Sequence, residues 1–176
     1  PLGGCRMADD AADGVCNAAH CSLRDAIIAS NAATGNGFQR IHFAIPPLAG
    51  TSEIAIAPTS QLPDITRTDT IDGYTQPGTA TNSDPSISNA VIRIRIDGPG
   101  VASGLRAFRP CAAGVVIRGL SITRFGTAIE MCSTFLSSIA GNFIGLAADG
   151  VTEAFNNIGV LVNAGPVRFG GDTLAD

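Results

Sequence analysis

The chain has no lysine and no tryptophan; all eleven of its basic side chains are arginine. Without lysine there is no Schiff-base amine, no lysine general base and no Lys–Asn isopeptide crosslink. Aromatic residues make up only 5% of the chain, so its core must be built from aliphatic side chains. Charge is sparse and slightly acidic, with a net of −4. No basic face and no interleaving of arginine with aromatics is present, which argues against nucleic acid as a partner. No apolar run is long enough to cross a bilayer. There are two histidines and no Cys-x-x-Cys pair. A zinc site is therefore not expected, nor any other resident metal or cofactor.

What the chain does have is 176 residues, 45% of them hydrophobic, with 21 glycines and ten prolines. That suits one domain with a sizeable core and many tight bends. The residues that organise it lie at 115–145. Ile117 and Ile139 stand 22 positions apart, as do Gly119 and Gly141, and Ile122 and Ile144. A second series aligns Leu105, Ile129 and Val160 at wider steps. Short β-branched runs repeating with intervening glycines are the signature of a stacked β-solenoid.

One repeat can be read in detail. Strand alternation points Ile117 inward and Arg118 outward. Gly119 breaks the alternation, so the chain bends there. Beyond the bend Leu120 and Ile122 point inward and Ser121 outward. Asn142 falls where the previous repeat has Leu120, and an amide beside a bend is expected to hydrogen-bond to backbone. Other strand-like runs are Ile41 to Ile45, Glu53 to Ile56, Thr70 to Asp72 and the clean alternation from Val91 to Asp97. The polar stretch 74–89 is expected to project as a loop.

One convincing helix opens at Cys21-Ser22-Leu23-Arg24-Asp25-Ala26-Ile27. Ser22 can cap it, Asp25 supplies a short form of the capping box, and Leu23, Ala26 and Ile27 share a face. Gly35 can end it. Such a helix would cover the open first repeat, whose unpaired edge would otherwise aggregate. The expected division is 1–37 for an N-terminal loop with the capping helix, and 38–176 for the repeats. The chain begins with Pro and stops soon after Phe169-Gly170-Gly171, so it reads as a trimmed piece of a longer array, or one whose bare end another copy covers.

Five cysteines are present. Cys16 and Cys21 are expected to bridge and pin the start of the helix. Cys111 and Cys132 are 21 apart, close to one repeat. If stacked, they would meet the Cα separation a disulfide requires. Cys5 is left over. Disulfides imply an oxidising compartment.

The heptapeptide at 21–27 resembles the "CSLREA" motif of bacterial right-handed parallel β-helix surface proteins. Asp13-Gly14-Val15-Cys16, Ile41-x-Phe43-x-Ile45-Pro46 and Leu62-Pro63-x-Ile65 fit the same pattern. So do Ile71-Asp72-Gly73-Tyr74-Thr75-Gln76-Pro77-Gly78 and Gly141-Asn142-Phe143-Ile144-Gly145. Asp25 stands where the family usually has Glu. The resemblance implies an all-β, right-handed parallel β-helix with an N-terminal amphipathic capping helix, secreted or displayed at the cell surface. Repeats stacked into a stiff rod with a flat lateral surface point to a structural or adhesive role, without catalysis, with surface carbohydrate or further copies as the expected partners. The same fold also serves polysaccharide lyases and glycoside hydrolases, which is the alternative.

That alternative needs carboxylates converging on one face. Asp64, Asp69, Asp72, Asp97 and Glu130 are the candidates. Asp72 and Asp97 each precede a glycine and would lie close if their repeats are neighbours, although Asp-Gly is first of all a turn composition. A lyase would use an arginine base beside acids that hold calcium. Arg93, Arg95, Arg118 and Arg124 face outward, with no acidic cluster expected beside them. His20 and His42 find no triad partners. Asp9, Asp10, Asp13 and Asn17 resemble a calcium loop only loosely and read as a solvated loop.

Overall fold

The computed structural model describes residues 21–34, 38–46 and 50–171. Cys5, Cys16, His20, Gly35 and the acidic stretch at 9–17 lie outside the described residues.

Helix α1 spans Leu23–Ala32. Ser22 caps it: its Oγ accepts from the Asp25 amide at 3.1 Å, and the Asp25 carboxylate accepts from the Ser22 amide at 3.2 Å. The shorter Asp25 side chain therefore closes the full capping box. The helix stops at Ala32, with Ala33 extended, before Gly35 is reached. The Ala33 carbonyl accepts from Arg67, which satisfies a free acceptor of the last turn without a glycine.

Twelve strands follow. They are β1 (Gln39–His42), β2 (Ile54–Ile56), β3 (Asp69–Asp72), β4 (Ile94–Asp97), β5 (Arg106–Phe108) and β6 (Val116–Arg118). The second half holds β7 (Leu120–Thr123), β8 (Thr127–Met131), β9 (Ser137–Ala140), β10 (Phe143–Ile144), β11 (Ile158–Val162) and β12 (Val167–Phe169). They form three sheets: β1-β3-β6-β9-β12, β2-β4-β7-β10 and β5-β8-β11. Every pairing between these strands is parallel. The chain visits the sheets in fixed rotation. Where the rotation first reaches the third sheet there is no strand, but Ile65 bridges Pro110 beside β5.

The register stacks like on like. Ile41, Ile71, Ile117 and Ile139 are successive partners in the first sheet. In the second, Ile56, Ile96, Ile122 and Ile144 align. In the third, Phe108, Ile129 and Val160 align. Leu23, Ala26 and Ile27 of α1 join the same core as these columns, so helix and sheets share one interior. Each buried Ile or Leu contributes about 1.5–3 kcal/mol.

Three expectations change. Ile129 pairs with Phe108, not Leu105; Leu105 instead accepts a hydrogen bond from the Thr127 amide. Ser121 faces outward but is fully buried, because a loop crosses over it and its hydroxyl donates to the Leu146 carbonyl at 2.7 Å. The stretch 74–89 projects only in part. Its first residues lie against the sheets, while Asn82, Ser83, Asp84 and Asn89 hydrogen-bond among themselves.

Glycine is required where the second and third circuits meet. Gly119 has φ +71°, and a Cβ there would lie 2.6 Å from the Tyr74 amide nitrogen. On the facing side, a Cβ on Gly73 would collide with the Gly119 carbonyl oxygen. Gly119 is thus the bend its position implied, and it admits close approach as well.

Candidate functional site

The acidic candidates separate into distinct outward-facing groups. Asp72 ends β3 and lies opposite Arg118 of β6. Its Oδ2 accepts from Arg118 at 2.6 Å, and its Oδ1 from the Tyr74 amide at 3.1 Å. Asp97 ends β4, in a different sheet, opposite Thr123. The two Asp-Gly corners are therefore not stacked on each other. Asp97 Oδ1 accepts from the Thr123 hydroxyl at 3.0 Å and from Arg124 Nε at 2.6 Å. Its Oδ2 meets Arg124 Nη2, with Arg95 at 3.4 Å. Arg95 also pairs with Glu53 at 3.1 Å. Asp97 raises the pKa of Arg124, chiefly through their hydrogen bonds.

A third group lies on the β5–β8 sheet. Glu130 accepts from Arg106 at 3.0 Å and from Arg109 Nε at 3.3 Å. Arg109 Nη1 donates to Asp64 at 2.8 Å, and that bond is the main reason its pKa is raised. Asp69 is different. It is buried at the start of β3, and its Oδ1 accepts from Ser30 Oγ of α1 at 2.6 Å. Burial pushes its pKa up, opposed by the Ser30 bond and the charge of Arg67.

The outward arginines meet carboxylates in individual pairs. Arg95, Arg118 and Arg124 are each paired with a carboxylate, and Arg93 donates to the carbonyls of Ser52 and Gly78. Parallel stacking brings about these pairs, because it sets an Asp of one circuit beside an Arg of the next. Asp64, Asp72, Asp97 and Glu130 are each engaged by an arginine guanidinium. Among the described residues no cluster of His, Cys, Asp and Glu could hold a metal ion. His42 lies opposite Asp72 in register.

Cys111 and Cys132 form a disulfide with a Cα separation of 4.9 Å. The Phe108–Ile129 register, also a step of 21, carries them into line three residues further along the chain. Cys21 is disulfide-bonded as well, and its partner lies outside the described residues.

Amide side chains form a set that sequence reasoning found only in part. Asn142 Oδ1 accepts from the Leu120 amide at 3.0 Å, and its Nδ2 donates to the Ile117 carbonyl at 2.8 Å. Asn156 treats Phe125 and Ile122 the same way, at 2.9 and 2.8 Å. Gln76 clasps both backbone groups of Ile45, Gln61 those of Arg106, and Asn31 bridges Thr66 and Asp64. Each carboxamide replaces a missing stretch of neighbouring strand at a corner. The signal for Asn156 was the dipeptide Asn156-Asn157 before a strand, which alone does not say which amide turns inward.

The motif at 71–78 has the same character. Thr75 accepts from the Phe43 amide at 2.8 Å, and Tyr74 donates to the Gly141 carbonyl at 2.8 Å. In the motif at 21–27, Arg24 donates to the carbonyls of Ser60 and Gln61 at 3.1 and 2.6 Å. Neither a family model nor any curated protein or solved structure matches this chain. No helix among the described residues is long and apolar enough to cross a membrane.

Proposed function

We propose that this chain is part of a right-handed parallel β-helix that serves as a rigid structural or adhesive element, secreted or displayed at a cell surface, without catalysis. The observation that carries this reading is that Asp64, Asp72, Asp97 and Glu130 are each held by arginine of an adjoining circuit. Paired charges between circuits serve stacking; a hydrolase needs carboxyl groups converging on a substrate. The fixed rotation among three parallel sheets supports the helical stack. The structural duties of residues 21–27 and 71–78 support the CSLREA-type resemblance. The Cys111–Cys132 bridge supports an extracytoplasmic setting.

Phe169, the last member of the first-sheet column, is 57% exposed, whereas Ile117 is fully buried. Strands β10, β11 and β12 are all sheet edges. Further circuits or another copy would bury them.

One observation favours the carbohydrate-active alternative. A cleft of about 290 Å³ lies beside the second sheet, lined by Ser52, Glu53, Val91, Arg93, Ala148 and Asp149. The test is incubation with acidic and neutral oligosaccharides, with and without calcium. Absence of new reducing ends or unsaturated products is expected. Cleavage that disappears in Glu53→Gln, with folding intact, would replace the structural reading.

A further inference from the structure

The joint between α1 and the first sheet contains a single buried ion-capable contact. Ser30 and Asp69 are essentially excluded from solvent, and their side chains meet at 2.6 Å. Asp69 Oδ2 is buried too and has no hydrogen-bond partner. A carboxylate normally accepts several hydrogen bonds, so an ionised Asp69 has only one of its two oxygens satisfied in an apolar joint. The other charged groups near it are committed elsewhere. On α1, Arg24 is bonded to Ser60 and Gln61, and Asp25 to Ser22. On β1, Arg40 is exposed, and His42 lies at the far end of the strand, opposite Asp72. On β6, Arg118 is on Asp72. Arg67, two residues away, acts on Asp69 through its charge while its guanidinium reaches Ala33 at the end of α1.

We propose that Asp69 is a proton-linked latch for α1: the helix seats most firmly on the first sheet when Asp69 is neutral, and loosens when it ionises. A neutral acid still accepts from Ser30 through Oδ1 and leaves no uncompensated charge in the joint. Ionisation leaves one. The helix covers the β1 end of the stack, so the latch would make access to that end dependent on pH.

The direction follows from linkage. Asp69 in the folded chain binds its proton more tightly than an exposed carboxyl, whose ordinary value is 3.8. Its contribution to stability is complete below that value and is lost as pH rises through the raised one. Within that window, opening of α1 becomes up to about tenfold easier per pH unit, and above it the effect is flat.

The test is amide hydrogen exchange of α1 from pH 3.5 to 8 on the whole chain, corrected for intrinsic rates, with Asp69→Asn and Ser30→Ala. In the parent chain, α1 protection should fall with pH. In Asp69→Asn, which keeps an acceptor for Ser30 and cannot ionise, that fall should vanish. In Ser30→Ala, where the carboxylate loses its one donor, the fall should extend to higher pH. If α1 protection in the parent has the same pH dependence as in Asp69→Asn, the latch is wrong. If Asp69→Asn does not fold, an unchanged pH range in Ser30→Ala would equally overturn it.

Discussion

Arg124 holds Asp97 through Nε and Nη2, one edge of its guanidinium, while its own backbone sits at φ 60°, the one non-glycine residue with positive φ among those described. A left-handed backbone costs a non-glycine residue about 1–2 kcal/mol. The ion pair with buried Asp97 offsets that cost. Arg124→Ala removes the pair and keeps the strain, whereas Arg124→Gly removes both. The glycine variant should be the more stable of the two by about 1 kcal/mol, and both should be less stable than the parent. Urea titration of the three chains checks the order; equal stability of the two variants would mean that the backbone is not strained.

Asn142 replaces a strand that is not there. Asn142→Ala removes the acceptor of the Leu120 N–H and a donor to the Ile117 C=O. A loss of about 2 kcal/mol is expected. Asn142→Asp is a sharper probe, because a carboxylate still accepts from Leu120 but cannot donate to Ile117. It should lose nearly as much at neutral pH and recover in part when acidified, measured by thermal unfolding at two pH values.

The Cys111–Cys132 bridge closes a segment of 21 residues. By chain entropy, removing it with a double Cys→Ser substitution should cost about 3 kcal/mol. The measurement is chemical denaturation. A much smaller loss would mean that the stacking of β5 on β8 already confines the unfolded chain.

Ile117 and Phe169 occupy the same column, three strands of the first sheet linking them through Ile139. Ile117→Ala should cost about 2–5 kcal/mol. Phe169→Ala should cost under about 1 kcal/mol, because most of its ring already faces solvent. If sedimentation shows a larger particle, Phe169→Ala should dissociate it; if the particle persists, its contact lies elsewhere.

How much of this was legible depended on local chemistry. Ser22 and Asp25 declared the helix start because a cap involves residues three apart. Ile117 and Ile139 declared their pairing because the segment between them is short. The pairing of Ile41 with Ile71 and of Ile71 with Ile117 was not legible, since loops of differing length intervene and the period is lost. The Leu105 alignment failed for the same reason: matching apolar residues by eye gave a step of 24, while Phe108, with the larger side chain, takes the column. Burial of Ser121 under the Leu146 loop needed a distant segment to fold back.

Sequence alone determined the aliphatic core, the bends that need glycine, the capped helix, and the absence of lysine chemistry. These follow from composition and from contacts within a few residues. Tertiary structure decided which Asp meets which Arg, which amides clasp which backbone groups, and that Asp69 lies under Ser30. Those relations join residues up to 46 positions apart, as Asp72 does with Arg118. Stacking between circuits sets them, and no local preference along the chain encodes where a strand will find its neighbour.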